Sequence, residues 1–398
     1  MAKYLKLFET HTNYETYING NDAVKPNVSY CEDVNGVYYN PYVREYDKEY
    51  LTFVAIEDGT FKFSGNGIYY SLDNGTTWVS LPTNTDTPTV NAGKSILWKG
   101  NMQMQPYAGI GSFSSTNKFD VVGNVLSLLY GDNFVGQTTI QTALYSKLDI
   151  FNGCTNVVNA ENLSLPPTVV TYCYSYMFNG CTSLTTAPQL PATTLADACY
   201  NGMFSGCTSL TSAPQLPATT LAQSCYSGMF RDCTSLTSAP ELSATTLAYY
   251  CYSSMFQGCT SLTTAPQLPA TTLAQSCYGS MFYGCTSLTN APSILPATTL
   301  ARECYLNMFN SCTSLTSAPE LPATSLTQNY CYDSMFKGCT SLNYIKAMFT
   351  TTPSKYLTHN WVEGVAVSGT FVKKRGALWD VTGVSGVPTG WTVQYADS

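Results

Sequence analysis

Sixteen cysteines and two histidines carry most of the reactive chemistry this sequence offers. Fifteen of the cysteines fall into two regular series, one at 173, 199, 225, 251, 277, 304 and 331, the other at 154, 181, 207, 233, 259, 285, 312 and 339. Zinc needs clustered ligands such as C-x-x-C, and that spacing does not occur. A disulfide framework is the second use of many cysteines. Series at a long fixed spacing read instead as core ladders of small apolar side chains, so the expectation is free, buried thiols. Stacked counterparts lie close enough to bridge, which leaves some disulfides open. His11 and His359 fall in terminal or loop settings, away from any G-x-S-x-G elbow. No phosphate loop or dinucleotide fingerprint occurs. The carboxylates of the repeated region are scattered, as with Glu241 and Glu320 at equivalent sites three repeats apart. Glycoside hydrolysis needs a pair held about 5–10 Å apart. The expectation is a protein that is not an enzyme and uses no cofactor or metal.

One short motif has a catalytic association. Ser71-x-Asp73-x-Gly75-x-Thr77-Trp78 matches the Asp-box pattern and resembles the boxes of sialidases. In that family the box is a structural hairpin remote from catalysis. Here it occurs once, in a stretch too short for a propeller, so it reads as a hairpin.

The elements that position the cysteines come from a repeat. Met-Phe pairs begin at 177, 203, 229, 255, 281, 308 and 335, a spacing of 26 residues with one added in each of the last two intervals. Phe151-Asn-Gly-Cys154 is a worn first copy. A period in the twenties means a solenoid whose coils bury their apolar sides only by stacking. Leu184, Leu190, Leu195, Cys199, Met203, Phe204 and Cys207 are the apolar set of one turn. Cys-Thr-Ser-Leu-Thr-x-Ala is the strand candidate, ended by the following Pro, which donates nothing to a ladder. Cys-Tyr-x-x-Met-Phe-x-x-Cys returns apolar residues at i, i+4, i+5 and i+8 and suits a short helical turn. Leu-Pro-Ala-Thr-Thr-Leu is the corner. The Tyr series at 174, 200, 226, 252, 278, 305 and 332 adjoins the core Cys and reads as packing rather than as a sugar-stacking strip. About eight coils at roughly 4.8 Å give a rod near 35–40 Å.

Positions that vary between copies mark the outer face. They include Tyr249 and Tyr250, Arg302, and the residue after Phe, which is Arg231 in one copy and Tyr283 in another. Tyr249, Tyr250, Tyr283, Arg231 and Arg302 are the surface-binding candidates, since paratopes are rich in such residues.

The motif MFxGCTSLTxAPxLPATTLA, covering 151–345, resembles the BspA-like leucine-rich repeats of gut-bacterial surface proteins and their phages. The resemblance implies a right-handed horseshoe or straight solenoid that binds other molecules. The expected fold is mainly β with short helical turns. A small N-terminal β domain precedes a solenoid of about eight coils, closed by a β-rich C-terminal cap. The expected division is 1–42 docking segment, 43–100 small β-sandwich-like domain, 101–150 bridge and N-terminal cap, 151–345 solenoid, and 346–398 C-terminal cap.

Charged residues are only 11% of the 398, with a net charge of −7. Without a basic stripe, nucleic acid is not an expected partner. No apolar run of 18 residues occurs, so no membrane span is expected. The first eleven residues lack the apolar core of a signal peptide. That favours a virion protein, assembled in the bacterial cytoplasm and carried on the virion surface, over an exported adhesin. The leader is aromatic, with Phe8, Tyr14, Tyr17, Tyr30, Tyr38 and Tyr39 as docking candidates, and Asn35-Gly36 suits a hairpin turn between two strands. It resembles the N-terminal segment shared by structural proteins of crAss-like gut phages. The resemblance implies a head fibre or decoration protein, or a tail fibre, with capsid or tail proteins as partners. Host-surface or mucin-type glycans are the expected outer ligands, and a dimer or trimer is the expected state.

Overall fold

The computed structural model describes residues 31–32, 38–39, 45–102, 108–140, 147–354 and 356–396. β1 (Cys31–Glu32) and β2 (Tyr38–Tyr39) pair antiparallel, Cys31 opposite Tyr39. The Asn35-Gly36 turn expected between them lies outside the described residues.

The next unit is one seven-stranded sheet with a two-stranded partner. β3 (Leu51–Ala55) lies between β7 (Ser95–Gly100) and β9 (Phe119–Asn124), antiparallel to both. β5 (Ile68–Ser71) and β6 (Val79–Leu81) extend the sheet beyond β7. β4 (Phe61–Phe63) and β8 (Phe113–Ser115) pair with each other. Alternation in Leu51-Thr-Phe-Val-Ala55 sends Leu51, Phe53 and Ala55 inward. Phe53 is the hub, with the rings of Phe61, Trp98, Phe113, Phe119 and Phe151 at 4.7–5.7 Å.

This sheet runs across the division expected at residue 100. β9 comes from the stretch read as a bridge, yet it is an inner strand. Its sequence, Phe119-Asp-Val-Val-Gly-Asn124, hides the alternation because Gly123 sits at φ +82°, where the Tyr50 carbonyl passes too close for a Cβ. β10 (Val157–Asn159) and β11 (Leu163–Ser164) of the first coil then pair parallel to β9. The strand edge at that end of the solenoid is thus covered. The short helix α1 (Ser127–Tyr130) follows β9 and packs on β7.

In the solenoid, the segment expected as a helical turn is a ribbon of overlapping four-residue turns, each closed by an i to i+3 hydrogen bond. In the coil from Ala248 to Cys259, alternate N–H groups stay within the coil. Cys251 donates to Ala248, Ser253 to Tyr250, Met255 to Tyr252 and Gln257 to Ser254, at 3.1–3.3 Å. The intervening ones donate to the next coil, Tyr252 to Cys277, Ser254 to Gly279, Phe256 to Met281 and Gly258 to Tyr283, at 2.8–3.0 Å. An α-helix would have spent every donor on i−4. Here half the donors stitch coil to coil, which replaces the ladder of a β-solenoid.

The expected strand Cys-Thr-Ser-Leu-Thr-x-Ala is corrected. Leu210 donates back to Cys207 at 3.1 Å, so the first half of the segment is bent. Within the segment the coil-to-coil bridges fall at the x position, as single parallel bridges such as Ser212 with Ser238 and Thr264 with Asn290. The Ala-Pro that follows ends the pairing there.

Beyond residue 345 the repeat's letters fade but its backbone continues. β12 (Tyr344–Ala347), β13 (Thr370–Lys374) and β14 (Thr392–Ala396) form a parallel three-stranded sheet. Phe336 donates to Trp361 at 2.8 Å, so Trp361 stands where earlier coils hold Met. Gly364 (φ +74°) repeats Gly338 (φ +73°). Trp379 closes the core by stacking on Phe349 at 4.6 Å. Among the described residues no helix is long and apolar enough to cross a membrane.

Candidate recognition face

The turn ribbon explains which side chains point out. Residues at a positive φ recur every fourth position, as at Tyr250 (55°), Ser254 (55°) and Gly258 (73°). Each is the third residue of a turn closed by an i to i+3 hydrogen bond, the place where a type II turn requires φ above zero. The two central residues of each such turn face outward: 249 and 250, 253 and 254, 257 and 258. The pairs between them, Cys251-Tyr252 and Met255-Phe256, are buried at 2% exposure or less. The pattern CYxxMFxxC is therefore pairs in, pairs out.

The core side of the ribbon is constant. Eight phenylalanines from Phe151 to Phe336 stack at 5.1–5.8 Å with ring planes within 14°. Beside them run the thiols, and fifteen of the sixteen are buried and free. The series from Cys181 to Cys339 does more than fill space. Each Sγ–H donates to the phenylalanine carbonyl one coil back, as Cys207 to Phe178 and Cys259 to Phe230, both at 3.0 Å. Burial pushes the Cys233, Cys285 and Cys339 thiols up to about 12, so they are neither nucleophiles nor ligands near neutrality. Among the described residues no group of three or more His, Cys, Asp or Glu is placed to hold a metal ion.

The five surface candidates all lie on the outward face. Tyr249 is 53% exposed, Tyr250 41% and Tyr283 37%, and the side chains of Arg231 and Arg302 are 52% and 56% exposed. They do not form one cluster. Tyr249, Tyr250 and Arg302 belong to the first outward pair of their coils, whereas Arg231 and Tyr283 belong to the third. The middle pairs, Ser253-Ser254 and Gly279-Ser280, separate the two columns. Arg231 meets Asp232 at 3.5 Å. Arg302 meets Glu303 at 3.0 Å, and the other Glu303 oxygen accepts from the Ser276 hydroxyl at 2.8 Å.

Other members of this face are not evident from sequence. Tyr172, in the first outward pair of its coil, and Tyr176, in the middle pair, sit at positive φ, with the Lys147 ammonium 6.0 and 5.2 Å from their rings. The Tyr176 ring lies over Gly202, where a Cβ would meet it at 2.5 Å. Tyr330 and Tyr356 meet edge to face at 6.1 Å near the far end. The signal was present, because Tyr172, Tyr250 and Tyr330 all precede the first Cys of their copies. In the last coils the face turns charged, with Lys337 and Glu363 at 2.8 Å and His359 and Asp333 at 3.4 Å. Glu320 pairs with Lys346 at 2.9 Å, while His11 lies outside the described residues.

The Asp-box hairpin is built as expected. Asp73 accepts from Thr77 through the amide at 2.8 Å and the hydroxyl at 2.6 Å, and from the Ser71 hydroxyl at 2.7 Å. Those bonds, Thr77's foremost, pull its carboxyl down to about 2. A hollow of about 340 Å³ beside it has Lys94 as the one charged side chain in its lining. Of the docking candidates, Tyr38 and Tyr39 form β2, while Phe8, Tyr14, Tyr17 and Tyr30 lie outside the described residues.

No curated protein matches the chain. A solved leucine-rich repeat protein from Bacteroides ovatus is similar at 14% identity over 83% of this chain and 99% of that one, with a TM-score of 0.22. The BspA type leucine rich repeat region matches in six copies over residues 146–263 and 224–356, together more than half of the chain. The 26-residue coils, their constant inward pairs and this match agree, and the protein belongs to the BspA type leucine-rich repeat family.

Proposed function

We propose that this is a non-enzymatic recognition protein of a phage virion, a head fibre or decoration protein. Its solenoid presents the outward turn pairs to glycans or another host-surface ligand. The observation that carries the recognition role is the contrast between the two sides of one ribbon. Inward pairs repeat almost without change, while outward pairs hold Tyr249-Tyr250 in one coil, Arg302-Glu303 in another and Gln223-Ser224 in a third. Exposed tyrosines and arginines on a rigid backbone offer contact area at low entropic cost.

The virion assignment rests on the first 42 residues, whose sequence resembles the leader of gut-phage structural proteins. An aromatic, strand-forming leader suits strand addition to an edge on a capsid or tail protein. The same recognition face serves a second reading, a bacterial surface adhesin of the same repeat family, and a tail fibre is a variant of the first. Attachment tells them apart. Phage particles carrying the protein with residues 1–42 deleted are purified and probed for it. The reading expects a folded truncated protein, with an intact thermal transition, that is missing from particles. Incorporation of the truncated protein moves the anchor elsewhere. A full-length protein absent from particles overturns the virion assignment.

A further inference from the structure

The core holds two aromatic columns that differ by one atom. The phenylalanine column and the tyrosine column, Tyr174 to Tyr332, are equally buried, and the tyrosines are 0–2% exposed. Their rings stack at 5.7–5.9 Å with planes within 15°. The hydroxyls of Tyr174, Tyr200 and Tyr278 are buried without a hydrogen-bond partner. A buried hydroxyl without a partner is destabilising, because the hydration it loses is not replaced. The repeat nevertheless keeps Tyr in all seven copies of this column and Phe in its neighbour.

The spacing resolves the contradiction. Parallel rings hold their hydroxyls as far apart as their centres, too far for a direct bond, which needs about 2.7–2.8 Å. Half of that separation, about 2.9 Å, is a hydrogen-bond length. We propose that the tyrosine column binds a single file of water molecules, one between each consecutive pair of hydroxyls, running along the inside of the solenoid. Each water takes two tyrosine partners, and each inner hydroxyl takes two waters, one as donor and one as acceptor. The ligand is water, and the site recurs once per coil because its walls do.

A crystal structure of the full chain at a resolution that shows ordered water tests this. The proposal expects one density peak in each interval, within hydrogen-bond distance of both hydroxyls. It also expects Tyr278→Phe to lose the two peaks flanking position 278 and to melt at a lower temperature. Empty intervals overturn it. So does a higher melting temperature for Tyr200→Phe and Tyr278→Phe, the result expected of a hydroxyl that had no partner at all.

Discussion

At the scale of single residues, burial governs the chemistry. The thiols stay protonated in the fold, pushed up to about 12 at Cys233, Cys285 and Cys339, whereas an unfolded chain loses those protons near 9. A folded-state pKa above the unfolded one gives stability that is complete below pH 9 and is lost as pH rises toward 12. Each such group contributes a slope of about 1.4 kcal/mol per pH unit. The melting temperature should therefore fall steeply between pH 9 and pH 10.5, and an unchanged value would contradict the buried ladders. By the same account, thiol reagents at pH 8 leave the ladder cysteines of the native protein unlabelled and count sixteen in denaturant. Recovering most of them as disulfides would sink the ladder reading. Asp73 runs the other way. Its lowered carboxyl predicts an NMR titration midpoint near 2, with the hairpin's hydrogen bonds kept above pH 4 and lost as pH falls through 2.

At the scale of the element, the turn ribbon makes a prediction with two signs. Ser280 occupies the left-handed region at φ +55° without a side-chain partner to reward it. Non-glycine residues there cost about 1–2 kcal/mol, partly offset by the stiffer unfolded chain. Ser280→Gly should stabilise by up to about 1 kcal/mol, and Gly284→Ala, at φ +72°, should destabilise by about 1–2 kcal/mol. Equal signs in chemical denaturation would refute the ribbon. The sequence made the in-and-out pairing legible, because Cys-Tyr and Met-Phe recur in pairs. It hid the turns that produce the pairing. Left-handed positions normally announce themselves as glycine, yet here they hold Tyr250, Ser276 and Glu303. The strand reading failed at Leu210 because apolar spacing cannot show where an N–H turns back on its own coil. The terminal coils were legible as strands and turns but not as coils, since Trp361 and Gly364 keep only two of the repeat's marks.

At the scale of the whole molecule, a constant core supports a face free to vary, and the two should separate energetically. Phe230 stacks between Phe204 and Phe256 at 5.6 and 5.7 Å, so Phe230→Ala should cost about 3–5 kcal/mol. Arg231→Ala, one residue on, should cost under about 0.5 kcal/mol. The 26-residue period and its apolar set made this division readable from sequence, and the candidates Tyr249, Tyr250, Tyr283, Arg231 and Arg302 are all exposed. Their separation into two columns was not readable, because it depends on which turn each residue occupies. The central claim is that recognition belongs to those outward pairs and folding to the inward ones. The most direct measurement is binding to an array of mucin-type glycans by the full chain and by its Tyr249→Ala/Tyr250→Ala variant, with both melting temperatures. The account predicts that the full chain binds, and that the variant loses about tenfold or more in affinity at an unchanged melting temperature. A blank array, which would mark the solenoid as a spacer, or equal binding by both proteins would contradict it.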